Sequence, residues 1–297
     1  MLRSVLCGAL GALALAGCRG QESKEAAVDS TELATRATRL EQLKQRTDSA
    51  SRDEPIARWV LPTSLSEISG LALTGDGRLL AHDDESGSVW VFDYRRGIIL
   101  KQFHVGNNIH EDFEGITIAN GDIYLLASNG KLYQFQEGAE GTKVRFSRHD
   151  TDLGKECEFE GIAFDSTRNE LELACKNVGT KSLRDQLVIY RLSLATGVSD
   201  RISRLTIPQS QIIGGHDWKL FKPSDITIDP ITGNYVLLSS QEQAVLVITP
   251  DGAVVSVRSL PPGHDQAEGI AITADSILIV SDEAVRKPAA ITLYRWP

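Results

Sequence analysis

Three glutamates stand at matching places in this chain. Glu114, Glu160 and Glu268 each precede a glycine and a short apolar run. Ser69 and Ser224 hold the same place in two further copies, and Asp225 replaces the glycine in one of these. If the five places converge, several carboxylates share one small volume, and their repulsion raises their pKa values unless a cation neutralises them. Calcium suits such a site, being a hard ion that takes about 6–8 oxygen ligands in loose geometry. Serine hydroxyls, backbone carbonyls and water would complete its shell.

The copies belong to a longer repeat. Ser69-Gly70-Leu71-Ala72-Leu73, Glu114-Gly115-Ile116-Thr117-Ile118, Glu160-Gly161-Ile162-Ala163-Phe164, Ser224-Asp225-Ile226-Thr227-Ile228 and Glu268-Gly269-Ile270-Ala271-Ile272 match position by position, at steps of 45, 46, 64 and 44 residues. A turn rich in Gly, Asp and Asn follows each, then a second and a third apolar strand, as in Tyr124-Leu125-Leu126 and Leu132-Tyr133-Gln134-Phe135. The first four units add a fourth, more polar strand, for example Val254 to Ser259. Short strands at even spacing argue all-β, and a period near 45 suits a four-stranded propeller blade. The last repeat ends at Trp296-Pro297 without a fourth strand, and Arg58 to Leu61 is a spare strand before the first. Set as the outer strand of the last blade, it closes the ring and removes an open edge. The pattern therefore predicts a β-propeller of five four-stranded blades over 55–297. The 64-residue step has room for a sixth blade, but its excess falls into stretches near Asn177 to Arg184 and Pro208 to Lys222 that read as loops.

The motifs Glu67-Ile-Ser-Gly-Leu, Asp112-Phe-Glu-Gly-Ile, Cys157-Glu-Phe-Glu-Gly-Ile-Ala, Pro223-Ser-Asp-Ile and Gln266-Ala-Glu-Gly-Ile-Ala resemble the SdiA-regulated family, also grouped as YjiK-like or calcium-regulated β-propeller proteins. The resemblance covers about residues 58 to 297. It implies a phytase-like propeller in the cell envelope with a link to calcium, and no established reaction.

In a propeller the first strand of every blade lines the central channel, so the glutamates at its head point to the axis or its mouth. Asp83, Asp84, Asp282 and Glu283 end second strands and would rim the same mouth. The expected metal set is Glu114, Glu160, Glu268, Asp225, Asp84 and Glu283, with Ser69, Ser224 and Lys176 beside it in the channel. Lys176 also ends a second strand, and pairing with Glu160 would weaken the need for a metal. The Glu-Gly pairs suit an architectural role as well, with the carboxylate accepting N–H bonds from the next blade while glycine permits close packing.

Searches for Gly-x-Ser-x-Gly, His-Glu-x-x-His and a phosphate-binding glycine loop find nothing. His110, His216 and His264 fall in loops, where histidines are usually solvated. A calcium-dependent phosphoester hydrolase remains an alternative, but it needs basic residues beside the metal, and Lys176 is nearly alone. A metal-free protein-binding scaffold is the third reading. The net charge of −9, without a basic stripe, excludes a nucleic-acid surface. Cys157 and Cys175 flank the first two strands of the third blade. An oxidising compartment would permit a disulfide, although strand register sets them some two residues off direct pairing.

The N-terminus reads as an export signal over residues 1–17, with Arg3 ahead of a short apolar run, Val5 to Ala16. That run is too short to span a bilayer, which takes about 20 apolar residues. Leu15-Ala16-Gly17-Cys18 resembles the lipobox of bacterial lipoproteins, in which the signal is cut before the cysteine and the thiol takes the lipid. Arg19, rather than Asp, follows, which points to an outer-membrane address facing the periplasm. Residues 18–54 then read as a charged tether, partly helical at best around Leu33, Ala37, Leu40 and Leu43. The expected partners are the membrane, through the lipid, and an envelope protein.

Overall fold

The computed structural model describes residues 51–107, 109–195 and 201–297, together with Thr38 and Glu41, which are helical and exposed. The expected signal segment, Cys18 and the tether as far as residue 50, apart from Thr38 and Glu41, lie outside the described residues.

Five antiparallel sheets follow one another along the chain. Blade one holds β2 (Ile68–Leu73), β3 (Leu79–Asp83), β4 (Ser88–Asp93) and β5 (Ile98–Val105), and blade two holds β6 (Phe113–Ala119), β7 (Asp122–Ala127), β8 (Lys131–Phe135) and β10 (Phe146–Asp150). Between β8 and β10, the two-residue β9 (Lys143–Val144) adds in parallel to the edge of β5 and straps the two blades together. Blade three is β11 (Cys157–Asp165), β12 (Glu170–Val178), β13 (Gln186–Ser193) and β14 (Ile202–Pro208). Blade four is β15 (Asp225–Ile228), β16 (Tyr235–Ser239), β17 (Ala244–Ile248) and β18 (Val254–Ser259). Blade five is β19 (Ala267–Ile272), β20 (Ile277–Asp282), β21 (Ala290–Arg295) and, from the other end of the chain, β1 (Ala57–Val60).

The ring closes as the sequence predicts, with Arg58 opposite Thr292 and Val60 opposite Ala290. Trp59 carries the closure across to blade one: its indole N–H donates to Tyr94 O at 2.7 Å and its ring lies over Gly97. No sixth blade hides in the long repeat. Its extra residues form the loop from β12 to β13 and the stretch from the short helix Gln209–Ile212 to Ser224.

The apolar side chains make five separate cores, one in each seam between blades. Each sheet buries both faces, so central strands read as continuous apolar runs; all five residues of β17 are buried. Outer strands are more exposed, as in β18, where no residue is fully buried. No helix among the described residues is long and apolar enough to cross a membrane.

Cys157 and Cys175 are joined by a disulfide with Cα atoms 5.6 Å apart. In the ladder Cys157 faces Val178 and Cys175 faces Phe159, and irregular pairing at Glu158–Gly161 lets the offset pair meet.

Candidate functional site

The repeated Glu-Gly has a local structural cause. In blades one, two, three and five the ladder slips by one residue at the same place, so Ser69, Glu114, Glu160 and Glu268 each sit on a β-bulge. Blade four does the same at its strand head: Ser224 N–H donates to Leu238 O at 2.8 Å while Asp225 pairs with Leu238. A bulged residue leaves the ladder and its side chain is re-aimed, here toward the axis. The glycine that follows sets the distance between blades. A Cβ on Gly70 would stand 3.1 Å from Gly115 Cα, one on Gly115 3.1 Å from Gly161 Cα, and one on Gly161 2.7 Å from Asp225 Cα. These residues form the narrow waist of the channel.

Above the waist lies a polar cavity of about 150 Å³, lined by Glu67, Ile68, Ser69, Asp84, Glu114, Glu160, Lys176, Gln266, Glu268 and Glu283. Six carboxylates and one ammonium share it. Lys176 Nζ donates to Glu160 Oε1 at 2.8 Å, so the counter-charge foreseen as weakening the case for a metal is in place. Glu67, Asp84 and Glu283 form the wall away from Lys176, and among the described residues no lysine or arginine pairs with any of them. Asp84 Oδ1 is buried there without a hydrogen-bond partner.

The electrostatics follow from crowding in a half-dry mouth. Burial, then Glu160 and Asp112, push Glu114 up to about 9. Burial and Glu160 push Glu268 up to about 8. Burial lifts Glu160 to about 7 even though Lys176 pulls it down. Asp84 rises to about 6 through burial, Glu67 and Glu283, and Glu283 rises through burial and Glu67. Burial works against the Lys176 ammonium, but Glu160, Glu268 and Glu114 raise its pKa on balance. Near neutral pH the mouth therefore holds protons on Glu114 and Glu268.

Several expected site residues lie elsewhere. Asp225 is buried in the seam between blades four and five, where its carboxylate accepts the N–H of Ile226 and of Ile270, each at 2.8 Å. Ser224 donates its hydroxyl to Ala267 O at 2.8 Å. Asp83 turns to Ser86, whose N–H and hydroxyl it accepts at 2.9 Å. Asp282 sits inside blade five against His264, at 2.8 Å, and within 3.6 Å of Arg58 on the closing strand. His264 is not a solvated loop residue: it is 2% exposed and its other ring nitrogen meets Tyr294 Oη at 2.8 Å. Two lining residues that were not predicted, Glu67 and Gln266, had a signal in the sequence. Both stand two places before the bulged residue, where Asp112, Glu158 and Lys222 occupy the other repeats.

For calcium, the donor chemistry fits, because the wall offers only hard oxygen and includes one unpartnered buried oxygen. The spacing does not close a shell: among the described residues no three His, Cys, Asp or Glu side chains converge tightly enough to hold a metal ion directly.

Five four-stranded blades closed by the chain's two ends, around an axis with one acidic mouth, define a five-bladed β-propeller. The chain belongs to the SdiA-regulated family, whose model matches residues 54–286. No protein of curated function matches the sequence. Among solved structures, the glutaminyl cyclase of Myxococcus xanthus is similar at 13% identity and a TM-score of 0.53, over 81% of this chain and 94% of that one. A luciferin-regenerating enzyme is similar at 10% identity and a TM-score of 0.51, over 81% and 95%. The virginiamycin B lyase of Staphylococcus aureus gives 18% identity and a TM-score of 0.43, over 79% and 72%. At such identities the likeness is one of fold alone, and propellers host unrelated chemistries.

Proposed function

We propose that this propeller is an envelope-anchored, non-enzymatic cation-binding protein. Its acidic channel mouth takes a divalent cation, with calcium the best match, that keeps part of its water shell, and it acts as a sensor or docking platform. The observation that carries the reading is the wall of Glu67, Asp84 and Glu283, three carboxylates facing a cavity without a paired cation, one with a buried unpartnered oxygen. Water between ion and carboxylate reconciles a hard-oxygen wall with spacing too wide for direct ligation. The same charge argues against phosphate esters as substrates, since among the described residues the one cation lining the mouth, Lys176, is committed to Glu160.

Protons and the cation compete for the same carboxylates, so binding must release protons. Calcium added at pH 7.5 is expected to release roughly one to two protons per ion, and fewer at pH 9.5, where Glu114 and Glu268 are already ionised. Titration in buffers of different ionisation enthalpy measures this. Calcium binding with no proton release at either pH would contradict the site.

Anchoring rests on Cys18 and the lipobox-like residues before it. Two or more acyl chains hold a protein stably at a bilayer. Cys18→Ser is expected to move the protein from the membrane fraction to the soluble fraction, and unchanged membrane association would remove the anchor from the account.

A further inference from the structure

The opposite end of the channel is a second and chemically different cavity. It measures about 410 Å³ and shares no lining residue with the acidic mouth, because the glycine waist separates them. All five inner strands contribute to it, chiefly through apolar side chains such as Ile116, Ile118, Phe164 and Ile228. That volume lies within the range of small-molecule sites, which are mostly apolar with a few convergent polar groups. The polar groups are present. Each inner strand pairs along one edge only, so its other edge turns backbone N–H and C=O groups toward the axis. Thr117, 7% exposed, lines the cavity, and its hydroxyl has no hydrogen-bond partner among the described residues.

Charge completes the selection. Among the described residues two charged ones line this cavity, Arg95 and Asp275, and they meet across the rim at 3.0 Å. Arg95 Cζ lies 4.8 Å from the centre of the Tyr94 ring, which holds the guanidinium at the opening. Asp275 is the more exposed partner, its side chain 55% exposed against 35% for Arg95, and the Thr273 hydroxyl gives its carboxylate a second hydrogen bond that does not depend on Arg95. An incoming carboxylate can therefore take the place of Asp275 on a guanidinium whose planar fork matches it.

We infer that this apolar mouth binds a small monocarboxylate with an apolar body, the acid on Arg95, a polar group on Thr117 and the body among the inner-strand side chains. The site is independent of the cation reading, since no residue is shared.

The test is calorimetric titration of the full chain with octanoate, octan-1-ol and octylammonium as probes. Octanoate is expected to bind about tenfold or more tightly than either of the other two. Arg95→Gln, at the rim and clear of the cores, should erase the preference for octanoate over octan-1-ol. Ile118→Trp, at a partly exposed position, should fill the mouth and weaken both, while Glu114→Gln at the other end leaves octanoate binding unchanged. Circular dichroism establishes that each variant is folded. Should Ile118→Trp fail to fold, the Arg95→Gln result decides alone. Equal affinity for the three probes, or a preference for octanoate that survives Arg95→Gln, overturns the inference.

Discussion

Replacing Gly161 by alanine is expected to destabilise the propeller by ~3 kcal/mol, at the upper end of what overpacking costs. The new methyl would lie 2.7 Å from Asp225 Cα and 2.8 Å from Ile226 N, and both are backbone atoms of the next blade. A side chain in the way could rotate aside. Here a whole blade must move, and with it Asp225, whose carboxylate bonds Ile270 N–H and so links blade four to blade five. For a domain of this size the loss corresponds to roughly 6–12 °C in Tm. Gly121→Ala is the natural contrast: that glycine adopts a φ of +87° in a turn with open space around it. Its cost is backbone strain alone, on the order of 1 kcal/mol. Thermal melts of both variants read the difference, and equal losses would mean that the waist is not close-packed.

In the absence of divalent cations, stability is expected to fall as pH rises from about 6.5 to 9.5. Glu114, Glu268 and Glu160 keep their protons in the folded protein up to about 9, 8 and 7, whereas an unfolded chain releases them near 4.5. Between those limits the folded state binds more protons, so its contribution is complete below 4.5 and is lost as pH climbs through the folded values. The loss amounts to a few kcal/mol at most, because water reaches the mouth and screens it. Glu114→Gln keeps the shape of the protonated acid and cannot ionise. It should therefore raise Tm by roughly 3–8 °C at pH 9 and change it little at pH 5. Calcium should protect the unmodified protein at pH 9 in the same way. A Tm that stays flat or rises from pH 6.5 to 9.5 without metal would show that neither burial nor repulsion holds protons on these carboxylates.

The fold was legible because a propeller repeats its physics. Every blade needs the same bulge and the same close approach, so Glu-Gly recurs at three of the five inner strands, with Ser-Gly and Ser-Asp at the other two, and the missing fourth strand of the last repeat pointed to Arg58 to Leu61 at the other end of the chain. The site was legible only in part. Position within the repeat identified Glu114, Glu160, Glu268, Asp84, Glu283, Ser69 and Lys176, which line one cavity. It could not show that Asp225 turns sideways into a seam, since a residue standing for glycine has a side chain where the motif has none. Nor could it show that Asp83 and Asp282, which hold matching places opposite Ile68 and Ala267, turn away from the mouth, Asp83 to Ser86 and Asp282 to a buried His264 brought in by the preceding loop. Loop paths depend on contacts far apart in sequence, and no local pattern encodes them. Glu67 and Gln266 were legible in principle, two places ahead of the bulge, but only once the bulge itself was known.

The central claim, a cation at the acidic mouth, is tested most directly by calcium calorimetry at pH 8 on protein stripped of metal, with the Glu67→Gln/Asp84→Asn/Glu283→Gln variant beside it. The account predicts saturable binding that the folded variant loses. No binding by the folded, unmodified protein would contradict it and leave the Glu-Gly repeats as architecture.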